Sequence, residues 1–169
     1  MTTLPNWEHS YQDLGSLYTS TAAAEKASKP EWMAWNEGLA TSLKWPAAWS
    51  KTDEALQAFS GHSEFAGTKP SASVYAGHQF GQYNPQLGDG RAVLLGEWVV
   101  ENGSRYDIQV KGAGPTPYSR GGDGLSPVGP VVRPRGRPAG SARGRPGCAC
   151  APLCLRWPSP PASAARGAA

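Results

Sequence analysis

Two apolar runs flanking an Asn-Gly pair constrain this chain more than any other feature. Ala92 to Val100 (AVLLGEWVV) is rich in β-forming residues, and Tyr106 to Val110 (YDIQV) alternates apolar and polar. Asn102-Gly103 lies between them. Asn-Gly tolerates the positive φ values of a tight two-residue turn, and period-two alternation suits a strand with one buried face. The pattern predicts an antiparallel hairpin with Lys111 at the end of its second strand. Asn102-Gly103-Ser104 also spells a glycosylation sequon. With no secretory signal at the N-terminus, the turn is the preferred reading.

Upstream of the hairpin the pattern is helical. Pro30 can open a helix over Glu31 to Leu43, where Trp32, Trp35, Leu39 and Leu43 recur at helical spacing. Pro46 ends or redirects it. Thr52 to Phe59 begins with a capping residue and two acids in its first turn, which predicts a second short helix. Ser60-Gly61 and Gly67 to Pro70 read as loop. Residues 1–13 carry only scattered aromatics and are expected to be poorly ordered.

The stretch from Val74 to Trp98 concentrates glycine, amides, His78, Asp89 and Arg91 ahead of the apolar run, and it reads as a polar loop. In Gln86-Leu-Gly-Asp-Gly-Arg91, Gly88 and Gly90 would allow positive φ and close approach of a ligand. Successive backbone N–H groups there could cradle an anion, and Arg91 adds a fork suited to phosphate. An ordinary tight turn accounts for the same residues. No GxxxxGK[ST] or GxGxxG motif is present. Lys111 could hold phosphate from the end of its strand or be a solvated surface lysine. Asp123, between Gly122 and Gly124, could receive a ligand hydroxyl or simply make a turn. His78 has no partner at metal spacing, so it reads as a structural, hydrogen-bonding histidine.

Charge divides the chain. Residues 1–124 hold nine Lys and Arg against all thirteen Asp and Glu, a net of −4. Residues 125–169 hold seven Arg and no Lys, Asp or Glu, a net of +7. That segment is mostly Gly, Ala, Pro, Arg and Ser and lacks the apolar surface to offset ordering entropy, which predicts disorder. Cys148, Cys150 and Cys154 lie in it with no fourth ligand, a poor zinc signature. Its arginines could contact nucleic-acid phosphates, but it offers only one aromatic, Trp157, and no repeated basic motif. No apolar run approaches the ~20 residues that span a bilayer.

The segments YAGHQFGQYNPQLGDGRAVLLGE (Tyr75 to Glu97) and RYDIQVKGAGPTPYSRGGDG (Arg105 to Gly124) closely resemble the selenoprotein O family of protein adenylyltransferases. WNEGLATSL, upstream, is similar as well, and the resemblance covers residues 14–124. It implies an α+β fold: an incomplete protein-kinase-like amino-terminal lobe, with N-terminal helices, an antiparallel sheet and a glycine-rich loop, followed by the disordered tail of residues 125–169. It implies transfer of AMP from ATP to hydroxyl side chains of proteins, with Mg2+ or Mn2+. Gly88, Gly90 and Arg91 match the family's nucleotide contacts, Lys111 its phosphate-holding lysine, and Asp123 with Gly124 a further contacting pair. After Gly124 the family continues with a segment like RAVLRSSIREFL, whose Glu pairs with the lysine. This chain reads LSPVGPVVRPRG instead. The family's catalytic Asp, and its metal-holding Asn and Asp, have no counterparts here.

The tail composition is what out-of-frame reading of a GC-rich gene would give, so the expectation is a chain truncated after its amino-terminal lobe. That lobe would expose an apolar face and lack catalytic activity. Alternatives are a non-enzymatic ATP-binding or regulatory fragment and a basic-tail interaction module. The expected location is cytoplasmic for a bacterial chain. A eukaryotic member could be mitochondrial, though no transit peptide is evident.

Overall fold

A computed structural model describes residues 6–46, 49, 51–125 and 153–155. The elements run β1 (Trp7–Glu8), a 3-10 turn (Gln12–Leu14), β2 (Thr19–Thr21), β3 (Trp32–Trp35), α1 (Glu37–Ser42), α2 (Asp53–Phe59), β4 (Ser71–Gln79), β5 (Gln82–Gly88), β6 (Ala92–Val99), β7 (Arg105–Lys111) and β8 (Leu153–Leu155). The fold is α+β, with few helices and wholly antiparallel pairing. One sheet runs β1-β6-β4-β2, with β7 on β6 and β5 on β4; β3 and β8 form a separate pair.

The β6–β7 hairpin forms as expected, paired from Ala92↔Lys111 to Val99↔Arg105 with a one-residue register shift between Leu94 and Gly96. Its turn is centred one residue earlier than Asn-Gly suggests. The Gly103 amide donates to Val100 O at 2.8 Å, and the Val100 amide to Ser104 O at 3.0 Å. Gly103 takes φ 79°, while Asn102 is not among the residues at positive φ. This is the three-residue loop, a turn over Glu101-Asn102 followed by a left-handed glycine. Asn102 Oδ1 completes it by accepting from the Ser104 amide at 2.9 Å.

β6 forms the centre of the molecule. Every residue from Ala92 to Trp98 is buried. Burial on both faces favours its continuous apolar run over alternation. Leu43, Trp45, Phe59, Phe65, Ile108 and Val110 close the core around it. Trp45 lies 4.8 Å from Trp98 between ring centroids, and Phe59 lies 4.7 Å from Phe65. The Trp98 indole donates to Leu43 O at 2.8 Å, which ties the end of α1 to the sheet. Large exposed apolar side chains include Leu14, Leu17 and Phe80.

Three expectations are corrected. The single helix over Glu31 to Leu43 is instead strand β3 followed by α1. Asn36 caps α1, its Oδ1 accepting from the Leu39 amide at 3.0 Å. The pairing of β3 with β8 shifts register between Trp32 and Ala34. One extra residue converts a strand spacing of two into three, so Trp32 and Trp35 share a side, their rings edge to face at 5.5 Å. Spacing by three was therefore a bulge and not a helical turn. Second, a strand was not expected within residues 1–13, and β1 lies there: Trp7 pairs with Trp98 and stacks edge-on against it at 5.5 Å. Residues 1–5 lie outside the described residues.

Third, the polar stretch after Val74 is not a loop. It is hairpin β4–β5, turning at Phe80-Gly81, where Gln79 pairs with Gln82. Phe80 at its tip is 98 % exposed. Only the root of β4 belongs to the main sheet, through β2 and Ser71↔Leu94. The α2 expectation holds, with Thr52 Oγ1 accepting from the Ala55 amide at 3.2 Å. Of the segment expected to be disordered, Leu125 forms a bridge with Ala113 and Leu153–Leu155 pairs with β3. Its arginines, Cys148, Cys150 and Trp157 lie outside the described residues.

The register sets two carboxylates face to face, Glu97 opposite Asp107. Glu97 is 6 % exposed and accepts from the Tyr11 amide at 3.2 Å and from the Ser10 hydroxyl. Burial, and then the charge of Glu97, push the Asp107 carboxyl above its ordinary value of 3.8. A raised carboxyl value means the folded chain holds this proton longer than the unfolded chain. Stability therefore falls as pH rises through the window above 3.8. Asp107→Asn is expected to remove that fall and to stabilise the fold near neutral pH by up to ~1 kcal/mol. Urea midpoints of both proteins between about pH 4 and about pH 8 check it. Parallel curves would show that the pair does not act on stability.

Candidate functional site

The six residues singled out in the sequence converge at one end of the β6–β7 hairpin. β5 ends at Gly88, and Asp89 to Arg91 cross to the start of β6. The Asp89 amide donates to Ser73 O at 3.0 Å, which pins the crossing to β4. On the other side the Gly112 amide donates to Arg91 O at 2.6 Å, beside the pair Ala92↔Lys111. Beyond Gly112 the chain turns through Pro115 to Arg120 and comes back, so that Leu125 bridges Ala113. Asp123 and Gly124 thus arrive next to the end of β7.

The roles differ from those read in the sequence. Neither Gly88 nor Gly90 is at positive φ. At Gly88 the missing side chain leaves room for the Tyr118 ring, since a methyl there would lie 2.3 Å from Tyr118 Cγ. Gly124 does need a left-handed conformation, at φ 66°, and a methyl there would lie 1.9 Å from Gly114 O. Asp123 Oδ1 accepts from the Leu125 amide at 3.0 Å, so its carboxylate shapes this return. Arg91 and Lys111 are both exposed, and neither makes an ion pair or side-chain hydrogen bond among the described residues. Two cations without a partner among the described residues therefore flank a short, pinned glycine loop. That arrangement suits a phosphorylated ligand.

Sequence reading missed Thr116, Tyr118 and Ser119, which touch the loop directly. Thr116 donates its hydroxyl to Asp89 O at 2.6 Å, and Ser119 donates to Gly90 O. The Tyr118 hydroxyl hydrogen-bonds Ser20 on β2. The signal was two hydroxyls three residues apart around Pro117, inside a segment read only as loop. Tyr75 also approaches, its hydroxyl 3.4 Å from Asp89 Oδ1. Partial burial, and then the charge of Asp89, raise the Tyr75 hydroxyl above its ordinary value.

His78 does not hydrogen-bond through its side chain among the described residues. It lies on the exposed hairpin arm, edge-on to Tyr83 at 5.5 Å. A cavity of about 60 Å³ between Ala23-Ala24 and Glu64–Pro70 is lined by none of the six candidates, and it has room for a few waters and not for a nucleotide. Among the described residues, no group of three or more His, Cys, Asp or Glu side chains could hold a metal ion, and no helix is long and apolar enough to cross a membrane.

The family described as "Protein adenylyltransferase SelO" matches residues 2–133, past both ends of the 14–124 stretch read from the motifs. The protein nucleotidyltransferase YdiU of Sphingopyxis alaskensis is 49% identical over 123 residues, covering 73% of this chain and 25% of that protein. The protein of the same name from Maridesulfovibrio salexigens is 48% identical over 128 residues, covering 75% of this chain and 26% of its own length. That of Ruegeria pomeroyi is 47% identical over 133 residues, with coverage of 79% and 28%. The chain therefore spans about a quarter of the length of the curated relatives it matches.

Proposed function

The chain belongs to the SelO family of protein adenylyltransferases, and from that premise we propose that it carries the phosphate-gripping part of an enzyme transferring AMP from ATP to Ser, Thr or Tyr hydroxyls of proteins. We read the sheet as the amino-terminal lobe of a kinase-like fold, with a glycine loop on one strand pair and Lys111 on the next strand. The reading rests on Arg91 and Lys111, two exposed cations with no carboxylate partner among the described residues, on either side of the pinned loop.

In AMP transfer the acceptor hydroxyl oxygen bonds to the α-phosphorus and gives up its proton to solvent, the bond from that phosphorus to the bridging oxygen breaks, and pyrophosphate leaves with the bridging oxygen. Negative charge builds on the phosphoryl oxygens and the leaving group. Fixed cations and backbone amides beside them lower the barrier most when they need not reorganise. Arg91, through its planar fork, and Lys111, as a point charge, would bind and orient the phosphates. The family implies Mg2+ or Mn2+. The described residues do not fit that ion, because no set of acidic or imidazole side chains converges, and no step here is routed through it.

Titration of the chain with ATP tests binding, and incubation with α-labelled ATP, divalent metal and a protein acceptor tests transfer. Lys111→Ala is expected to weaken ATP binding roughly tenfold or more, the worth of one charge-assisted contact. The melting temperature should stay within about a degree or two, since surface substitutions away from special contacts change stability little. Absence of ATP binding by the unmutated chain sinks the reading. Binding without AMP transfer would favour a non-enzymatic nucleotide-binding role.

A further inference from the structure

We propose that Thr116 and Ser119 are positioning residues, which turn the Gly90 and Arg91 backbone amides outward to form an anion cradle. The inference rests on the nucleotide reading above and adds to it how the loop is shaped.

Each hydroxyl works twice. Ser119 Oγ accepts from the Thr116 amide at 2.8 Å while donating to Gly90 O. Thr116 Oγ1 accepts from the Tyr118 amide at 3.2 Å while donating to Asp89 O at 2.6 Å. A hydroxyl has a single proton. With the turn's own amides supplying protons to both oxygens, both hydroxyl protons are committed to the loop carbonyls. The Ser119 amide closes the turn on Thr116 O at 3.1 Å, so the two hydroxyls keep a fixed spacing. Tyr118, between them, lays its ring against Gly88 and anchors through Ser20 to β2.

The consequence lies in peptide geometry. In a trans peptide the C=O and the following N–H point in opposite directions. The carbonyls of Asp89 and Gly90 both face the Thr116–Ser119 turn. The amides of Gly90 and Arg91 therefore both face away from it, and neither has an intramolecular acceptor among the described residues. Two successive amides, unpaired among the described residues, on one side of a bend offer an anion two donors. The Arg91 guanidinium, also without a partner among the described residues, springs from the same residue. No carboxylate is needed to build this cradle, and a phosphate fits its charge.

The test uses the whole chain in two double variants. Thr116→Val with Ser119→Ala removes both hydroxyls; Thr116→Ser with Ser119→Thr keeps both. The first is expected to weaken ATP binding roughly tenfold and to speed amide exchange at Asp89, leaving exchange at Ile108 in the core unchanged. The second is expected to restore both readouts. In the unmutated chain, ATP should shift the amide resonances of Gly90 and Arg91. Equal affinity in both double variants, or ATP binding that leaves those two resonances in place, overturns the cradle. If the unmutated chain binds no ATP, the proposed function fails on its own. Asp89 exchange then decides the clamp alone, and unchanged exchange overturns it. Should the hydroxyl-free variant not fold, each single substitution is read in the same way.

Discussion

Replacing Trp98 by alanine should cost the fold about 3–5 kcal/mol, the range for removing a large buried aromatic. Trp98 is 4 % exposed, lies 4.8 Å from Trp45, and receives the Trp7 ring on its edge at 5.5 Å. Its indole N–H is also the donor for Leu43 O, so alanine would leave that carbonyl without this partner as well as opening a cavity. Small domains have only about 5–15 kcal/mol in total. The variant should therefore be largely unfolded at moderate urea, as read by far-ultraviolet circular dichroism. Trp98→Phe should recover more than half of the loss by keeping most of the volume. A cost below about 1 kcal/mol for the alanine variant would mean that β1, β6 and the end of α1 do not meet at this ring.

Gly124→Ala should be the most damaging small substitution at the site, at about 2–4 kcal/mol. Alanine at φ 66° is strained in itself. Its methyl would also sit 1.9 Å from Gly114 O and 2.6 Å from Pro115 Cα, both backbone atoms that cannot swing aside. The bridge between Ala113 and Leu125 must then open. Gly121→Ala is the control. It has φ 81° but nothing within 4 Å, so it should cost about 1 kcal/mol. Melting temperatures and ATP affinity of the two variants, measured together, separate packing from ligand contact at Gly124. A loss of ATP affinity with no loss of stability would reverse the assignment made here.

Which parts of the fold were legible depended on where the information lay. The β6–β7 hairpin and α2 were readable because their signals are local: an apolar run, an Asn-Gly turn, a Thr cap with acids behind it. The turn was misplaced by one residue because Asn-Gly serves a two-residue or a three-residue loop, and only the register of the flanking strands decides. β3 was misread because a bulge imitates helical spacing, and a bulge is defined by the partner strand. Hairpin β4–β5 was invisible as strands because its outer part, from Tyr75 to Gln86, is largely exposed, so no burial imposes alternation on that sequence.

At the site, the identities of Gly88, Gly90, Arg91, Lys111, Asp123 and Gly124 stood out from sequence, and the chain does bring them together. Their mechanics did not stand out. Gly88 is small because of Tyr118, thirty positions away, and the loop carbonyls are aimed by hydroxyls in a segment that looked like filler. Contacts of that range leave no periodic trace.

The aromatic core has an optical consequence. Trp7, Trp32, Trp35, Trp45, Trp49 and Trp98 all pack into or against one cluster with Phe59 and Phe65. The glycine loop is touched instead by tyrosines, Tyr75 and Tyr118. Emission from these six indoles therefore follows the collapse of the sheet, whereas the Tyr75 and Tyr118 phenols lie beside the glycine loop. Among the described residues, Tyr118 belongs to both regions, packing against the core cluster while its ring lies on Gly88.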